Sequence, residues 1–177
     1  MKINWKHITI KELAAIVSEK LKEKNIDALL VGGACVSIYT KNKYLSYDLD
    51  FVSHALLKNI AQALSEIGFK KESSRHFVRA DCPFFIEFVS PPAAIGNEPI
   101  TTKKEIKTRF GNILLLSPTN CVKDRLAAFY HWNDPQALEQ ALIVAKAQKI
   151  NLREIKRWSG QEGHKEKYAV FLKKIKG

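Results

Sequence analysis

Apolar and polar residues alternate with two different periods along the first half of this chain. Between Lys11 and Lys24, apolar residues recur at helical spacing behind a Thr9–Glu12 capping pattern, which predicts a first helix. The short apolar runs at 26–31, 47–52 and 84–89 are instead typical of strands. Weaker patterns predict helices over 34–40 and 57–67 and further strands over 69–71 and 76–79.

The pattern changes after Pro91-Pro92. The segment to Thr102 reads as a loop, and 106–116 reads as a hairpin around Gly111-Asn112. Ser117-Pro118 is a helix start, and helical periodicity then predicts helices over 119–132, 135–148, 152–158 and 165–175. The order of elements predicts an α/β domain over 1–116, with a small mixed sheet flanked by helices. A helical region over 117–177 would pack on that domain.

Composition narrows the class of protein. The 177 residues are 46% hydrophobic and 27% charged, which excludes disordered and collagen-like chains. Three cysteines without a C-x-x-C pair (Cys35, Cys82, Cys121) argue against a disulfide framework and a cysteine zinc site. The sequence starts without the apolar core of a signal peptide and contains no run of about 18 apolar residues, so we expect a cytoplasmic protein.

Charge is the strongest compositional signal. The chain has 29 Lys and Arg against 18 Asp and Glu, a formal net charge of +11. Residues 149–177 hold nine of the basic and three of the acidic side chains, a net charge of +6. Such a segment favours a polyanionic partner, either RNA or a phosphate-rich substrate. The alternative is that lysine-rich helices only keep the protein soluble.

Two aspartates in the second predicted strand are the first candidate for chemistry. Asp48 and Asp50 are separated by one residue, so on a strand both carboxylates point to the same face. Carboxylates held so close repel each other unless a cation lies between them. Mg²⁺, a hard cation with oxygen ligands, would remove that repulsion. The alternative is a solvated edge strand with two surface acids.

Glu87 is the third candidate, because it interrupts the most apolar run of the chain. A carboxylate in such a strand is costly to bury without a partner. If its strand pairs beside the Asp48 strand, three carboxylates form a two-metal site for phosphoryl or nucleotidyl transfer. The alternative is an edge strand with one wet face.

Gly32-Gly33 ends the first predicted strand and opens a helix. Two glycines there let backbone N–H groups approach a phosphate, assisted by the helix dipole. The 14 residues between Gly33 and Asp48 suffice for one short helix and a return turn. The phosphate-binding turn and the acidic strand can therefore lie side by side.

The combination of Gly32-Gly33, Asp48-Leu49-Asp50 and Glu87 resembles the nucleotidyltransferase superfamily of DNA polymerase β type. Within it, Gly32-Gly33 followed by Ser46-Tyr47-Asp48-Leu49-Asp50-Phe51 is most similar to small bacterial proteins related to the toxins of abortive-infection toxin–antitoxin pairs, whose pattern is Gly-Gly-x-Ala-Leu and then Ser-x-Asp-Leu-Asp-Phe. The resemblance covers about residues 26–90, and the helix over 118–126 is also similar.

The resemblance implies a Mg²⁺- or Mn²⁺-dependent transfer of NMP from an NTP to a hydroxyl of RNA, protein or a small molecule. Its implied catalytic and metal-binding residues are Asp48, Asp50 and Glu87. Its implied nucleotide contacts are Gly32, Gly33, Ser37, Ser46 and Lys123, with Lys123 facing the triphosphate.

Other features leave alternatives open. Ala34 stands where many relatives have a Ser or Thr hydroxyl that contacts phosphate; Ser37, one helical turn on from Gly33, is a candidate substitute, and the alternative is that this contact is missing. One alternative is a catalytically silent module of the same fold that binds RNA or protein, and another is an antitoxin-like assembly partner. Phe129, Tyr130 and Trp132 are expected in the core, and Arg125 beside Asp124 reads as a surface pair.

Overall fold

The computed structural model describes residues 3–177, which form seven α-helices and nine strands. The helices are α1 (Ile10–Glu23), α2 (Gly32–Tyr39), α3 (Leu57–Ser65), α4 (Pro118–Trp132), α5 (Pro135–Ala147), α6 (Leu152–Gln161) and α7 (Lys165–Lys176). The strands are β1 (Leu29–Val31), β2 (Asp48–Val52), β3 (Lys70–Lys71), β4 (His76–Val78), β5 (Phe85–Val89), β6 (Ala94–Ile95), β7 (Glu98–Pro99), β8 (Lys103–Thr108) and β9 (Gly111–Leu116).

Seven of the strands form one mixed sheet in the order β3-β4-β5-β2-β1-β9-β8. Strand β2 runs antiparallel to β1 and parallel to β5, and β1 runs parallel to β9. The remaining two strands, β6 and β7, form a separate small hairpin. The predicted class, a small mixed sheet flanked by helices, is confirmed.

Strand alternation gives the sheet one apolar face. Leu49 and Phe51 of β2, with Ile86 and Phe88 of β5, are fully buried or nearly so. The intervening positions of both strands are half-buried and point the other way. Helix α1 belongs to the same core as the apolar face, and it begins at the predicted Thr9–Glu12 capping box.

The C-terminal helices join this core rather than standing apart from it. The Tyr39 hydroxyl donates to the Leu116 carbonyl at 2.5 Å, and Gln148 Nε2 of the α5 C-cap donates to the Tyr39 carbonyl at 2.8 Å. Within the helical region, Tyr130 stacks on the buried Trp158 with ring centroids 5.5 Å apart. The division into domains over 1–116 and 117–177 stays a prediction.

The predicted loop after Pro91-Pro92 contains the β6–β7 hairpin instead. Contacts with α6 hold that hairpin, because Trp158 Nε1 donates to the Ile95 carbonyl at 3.2 Å and the Asn97 amide donates to Glu162 at 2.9 Å. Each strand of this hairpin is only two residues long, and the hairpin is held by a helix that is distant in the sequence. Neither feature produces a local sequence pattern, so the sequence did not predict it.

The next hairpin, β8–β9, begins at Lys103, three residues before the predicted start, and turns at Arg109-Phe110 instead of Gly111-Asn112. Thr108 stabilises this turn, since its hydroxyl donates to the Gly111 carbonyl at 2.9 Å and accepts from the Phe110 amide at 3.0 Å. The local hydroxyl contacts therefore shift the turn by two residues.

The expectation for the aromatic cluster of α4 was wrong at one position. Tyr130 is buried, whereas Trp132, the last residue of the helix, is 82% exposed. Residues two apart on a helix point about 200° away from each other, so the two rings cannot share one face.

In the described part of the chain, no helix is long and apolar enough to cross a membrane.

Candidate active site

The sheet register brings the three predicted carboxylates to one face. Asp50 and Glu87 are direct register partners on the parallel strands β2 and β5, and Asp48 lies two residues before Asp50. Neighbouring strands are about 4.8 Å apart, so the row is compact. All three side chains are half-buried. The predicted pairing of the Glu87 strand beside the Asp48 strand is therefore present.

The electrostatics of this row centre on Asp50. Burial, and after it the nearby charges of Asp48 and Glu87, raise the pKa of Asp50 from the usual 3.8 to about 7, while Arg125 opposes the shift. A carboxyl perturbed by both burial and like charge is costly to ionise, and a bound cation would lower that cost.

Two serines, Ser37 and Ser46, orient Asp48 through consecutive hydrogen bonds. The Ser46 hydroxyl donates to Asp48 Oδ1, and the Ser46 amide donates to the Ser37 hydroxyl at 2.9 Å. Both serines are almost completely buried. Their contacts thus connect α2 to the first carboxylate of β2, an orienting role rather than one that leaves the hydroxyls free for a phosphate.

Close packing explains both glycines at the start of α2. Gly32 has a φ of +69°, and a Cβ there would collide with the Asp50 carboxylate. A Cβ at Gly33 would come within 2.9 Å of the Ser46 hydroxyl. The turn therefore lies directly against two of the site's polar side chains, and only glycine permits that approach.

The structure separates Lys123 from the carboxylate row. Its side chain is 2% exposed, and its ammonium group contacts Glu98, lies 3.4 Å from Glu154 Oε1 and lies 5.6 Å from the Trp158 ring centroid. This network of a buried lysine and two half-buried glutamates joins α4 to the β6–β7 hairpin and α6. The implied contact of Lys123 with a triphosphate has no support in this placement.

Arg125, two residues further along α4, faces the site instead. A cavity of about 330 Å³ opens beside Asp50 and Glu87, and Arg125 lines it. Asp124 Oδ2 accepts from Arg125 Nε at 3.0 Å, and Gln140 accepts from Nη1 at 3.3 Å. The other residues lining this cavity are Val31, Gly32, Val52, Val89, Ser90, Pro92, Ala93, Ala94, Ile100 and Asp124.

The local sequence of α4 does not distinguish Lys123 from Arg125 as the cation of the site. Lys123 and Arg125 both fit an α4 helix, and the choice depends on which face of α4 meets the sheet. Glu98 and Glu154, which bind Lys123 and draw it away from the site, come from segments 25 residues before and 31 residues after it.

The chemistry of the donors fits a hard divalent cation. Asp48, Asp50 and Glu87 offer carboxylate oxygens, the ligands that Mg²⁺ prefers, and burial of Asp50 makes a cation favourable there. The side chains of residues 3–177 do not, as they stand, form a group of three or more His, Cys, Asp or Glu that could hold a metal ion. One oxygen of Asp48 is directed at Ser46 instead.

Comparison with known proteins supports the architecture. No family model and no curated protein matches the chain. Among solved structures, an antigenic nucleotidyltransferase-like protein from Paracoccidioides brasiliensis superposes with a TM-score of 0.61 at 15% identity, over 77% of this chain and 75% of that one. The chain has a nucleotidyltransferase-like fold.

Two structures of the antibiotic-resistance factor ANT(2'')-Ia share this nucleotidyltransferase-like fold. A solution structure superposes with a TM-score of 0.50 at 11% identity, covering 93% of this chain and 91% of that one. A crystal structure in complex with adenylyl-2''-tobramycin gives the same TM-score and identity, covering 93% and 97%. At such low identity the likeness describes the fold alone.

Proposed function

We propose that this protein is a Mg²⁺-dependent nucleotidyltransferase that transfers NMP from an NTP to an acceptor hydroxyl. The observation that carries the proposal is the row of Asp48, Asp50 and Glu87 on neighbouring strands, directly beside the Gly32-Gly33 turn. A nucleotidyltransferase-like fold with three carboxylates at this turn has the groups that the reaction needs.

Each side chain has a role in this proposal. Asp48 and Asp50 would hold Mg²⁺, with Mn²⁺ as a substitute, and Glu87 would either hold a second ion or accept the proton of the acceptor hydroxyl. When bound, the ion neutralises phosphate charge. The acceptor oxygen forms a bond to the α-phosphorus as the bond to the β-phosphate oxygen breaks, and pyrophosphate leaves with that electron pair.

The cavity next to the row would receive the nucleotide phosphates. Its carboxylates, Asp50, Glu87 and Asp124, outnumber its one cation, Arg125. A polyphosphate would therefore bind there together with a divalent cation and not as a free anion. We assign to Arg125 the phosphate contact that the sequence analysis gave to Lys123.

The candidate acceptors are hydroxyl groups of a small molecule, of RNA or of protein. The ANT(2'')-Ia crystal structure contains adenylyl-2''-tobramycin, so this fold accommodates a small-molecule product. RNA and protein hydroxyls remain further candidates. A toxin–antitoxin context is proposed from the sequence resemblance over residues 26–90 alone.

Binding of NTP with Mg²⁺ tests the proposal. We expect that the melting temperature of the protein rises when Mg²⁺ and one of the four NTPs are added together, because a ligand that binds only the folded state stabilises it. Stabilisation at 100 times the dissociation constant is about 2.7 kcal/mol. Absence of any rise with each of the four NTPs would contradict the proposal.

A catalytically silent module of the same fold is the second candidate. The carboxylates form no preassembled metal cluster among the described residues, and one oxygen of Asp48 contacts Ser46; both observations favour this alternative. NTP-dependent stabilisation without pyrophosphate release in the presence of candidate acceptors would support it.

Replacing Arg125 should weaken NTP binding without removing the metal site. We expect Arg125→Gln to lower the affinity for MgATP about 10- to 100-fold, since charge-assisted hydrogen bonds to phosphate are lost. Arg125→Lys should restore part of that loss. Affinity for Mn²⁺ alone should not fall, because a cation is removed from beside the carboxylates. Isothermal titration calorimetry measures both affinities.

Arg109→Gln is the matched control for the loss of one positive charge. Arg109 is 70% exposed and pairs with Glu12, at the turn between β8 and β9. MgATP affinities that are equal for Arg125→Gln and Arg109→Gln would show that Arg125 does not contact the nucleotide.

A further inference from the structure

Two of the three acidic side chains from residue 149 onward contact other parts of the protein. Glu154 approaches Lys123, and Glu162 accepts from Asn97. Some basic groups are also used internally, since Arg157 pairs with Glu98 at 2.6 Å and Lys174 pairs with Glu139 at 3.2 Å. These contacts involve both acidic and basic side chains, but they involve most of the acids and only a minority of the basic residues.

Lys167 has a structural role as well. Its ammonium group donates to the carbonyl groups of Phe129, at 3.3 Å, and Tyr130, near the C-terminus of α4. A cation there offsets the partial negative charge of the helix end. Reversal of this charge would damage the fold and would say nothing about a partner.

The charged side chains from residue 149 onward that are exposed and unpaired in the described structure are mostly basic. Six exposed cations from residue 149 onward have no side-chain ion pair or hydrogen bond to any described residue, whereas among the acids there only Glu166 is exposed and without such a partner. The six cations are Lys149, Arg153, Lys156, Lys165, Lys173 and Lys176.

Two of these lysines flank an apolar slot between α6 and α7. The slot has a volume of about 300 Å³, and it is lined by Lys156 of α6 and by Lys165, Tyr168, Ala169 and Leu172 of α7. A mainly apolar slot lined also by two lysines matches one nucleotide of a single strand, which has a flat base next to a charged phosphate. A duplex would keep its bases stacked inside and could not use the slot.

We propose that the α6–α7 surface binds single-stranded nucleic acid, with phosphates at Lys156 and Lys165 and a base in the slot. This site uses none of the carboxylates on the sheet, so it goes beyond the proposed transfer reaction and does not depend on it. RNA and single-stranded DNA share the chemistry that the slot would recognise.

The charge part of the proposal is tested with fluorescein-labelled 15-residue oligouridylate and oligothymidylate, by fluorescence anisotropy on the full chain at several salt concentrations. We expect Lys156→Glu with Lys165→Glu to weaken binding at least tenfold. The slope of log affinity against log salt should fall by about 1.4, since each lost contact with a single strand contributes about 0.7.

The matched control is Lys70→Glu with Lys71→Glu, which changes the net charge equally on the exposed edge strand β3. Here we expect a smaller loss of affinity and an unchanged salt slope. Equal effects of the two double variants would overturn the proposal, because binding would then follow net charge alone. Comparison of the two oligonucleotides separates RNA from DNA as the ligand.

The slot is tested at two neighbouring positions of α7. Ala169→Trp fills the slot and should weaken binding about tenfold with an unchanged salt slope. Val170→Trp adds the same ring next to the slot, at a residue that is 45% exposed, and should leave affinity unchanged. Circular dichroism checks that both variants are folded.

Two results would overturn the slot assignment. One is an equal oligonucleotide affinity for Ala169→Trp and Val170→Trp. The other is binding of poly-glutamate as tight as that of oligouridylate with the same loss in Ala169→Trp, which would identify an acidic peptide as the partner. Asp48→Asn with Asp50→Asn should bind oligouridylate like the wild type, so a failed transfer reaction would not affect this result.

Discussion

Replacement of both Asp48 and Asp50 by asparagine is expected to abolish Mn²⁺ binding and to reduce NMP transfer by about 10³-fold or more. The two side chains share one strand face beside the Gly32-Gly33 turn, and in the proposed site they hold the cation. Calorimetric titration with Mn²⁺ and a pyrophosphate-release assay measure the two effects. An unchanged Mn²⁺ affinity would contradict the assignment of the metal site.

The same variant should be more stable than the wild type when metal is absent. Because the pKa of Asp50 is about 7 in the folded protein and 3.8 without the fold, ionised Asp50 destabilises the protein at neutral pH. We expect a gain of about 1–2 kcal/mol in the free energy of unfolding, measured by urea denaturation in EDTA at pH 8.

The direction of the pH dependence follows from the raised pKa. The folded protein binds the Asp50 proton more tightly than the unfolded chain, so wild-type stability in EDTA should fall as the pH rises from about 4 to about 7. In Asp50→Asn this part of the decrease should disappear. Asp27→Asn, at an exposed residue, is the control and should keep the wild-type profile.

Glu87→Gln is expected to separate binding from chemistry. Two carboxylates remain to hold the ion, so the affinity for MgATP should stay within about threefold of the wild type. NMP transfer should fall by about 10²–10⁴-fold if Glu87 takes the proton of the acceptor hydroxyl. Calorimetry of MgATP binding and pyrophosphate release, measured on the same preparations, test both parts.

Glu87→Asp is the companion variant, since it keeps the charge and shortens the side chain by one carbon. We expect turnover between those of the wild type and Glu87→Gln. Equal turnover in all three proteins would mean that Glu87 is not the third carboxylate. Loss of MgATP affinity together with turnover in Glu87→Gln would instead make Glu87 a ligand needed for nucleotide binding.

Local patterns in the sequence determined most of the secondary structure. The capping box at Thr9 and Glu12 places the start of α1, and Ser117-Pro118 places the start of α4. Alternation in β2 places Asp48 and Asp50 together on the face opposite Leu49 and Phe51. These features depend on contacts within a few residues, which is why composition and spacing predicted them.

Tertiary structure alone decided which distant side chains meet. Glu87 reaches Asp50 through the parallel register of β5 on β2, a pairing that no local pattern encodes. Glu98 and Glu154 hold the buried Lys123 in an ion-pair network away from the site, while the rotation of α4 turns Arg125 towards the carboxylates.

Local sequence patterns also do not predict an element whose formation depends on packing against a distant part of the chain. The β6–β7 hairpin rests on hydrogen bonds from α6, more than sixty residues later in the chain, such as that from Trp158 to Ile95. Trp132 is exposed because Tyr130 already occupies the face of α4 that meets Trp158. Sequence determined the carboxylates and their strand faces through local periodicity, whereas the choice of their partners required the packing of helices and strands that are far apart in the chain.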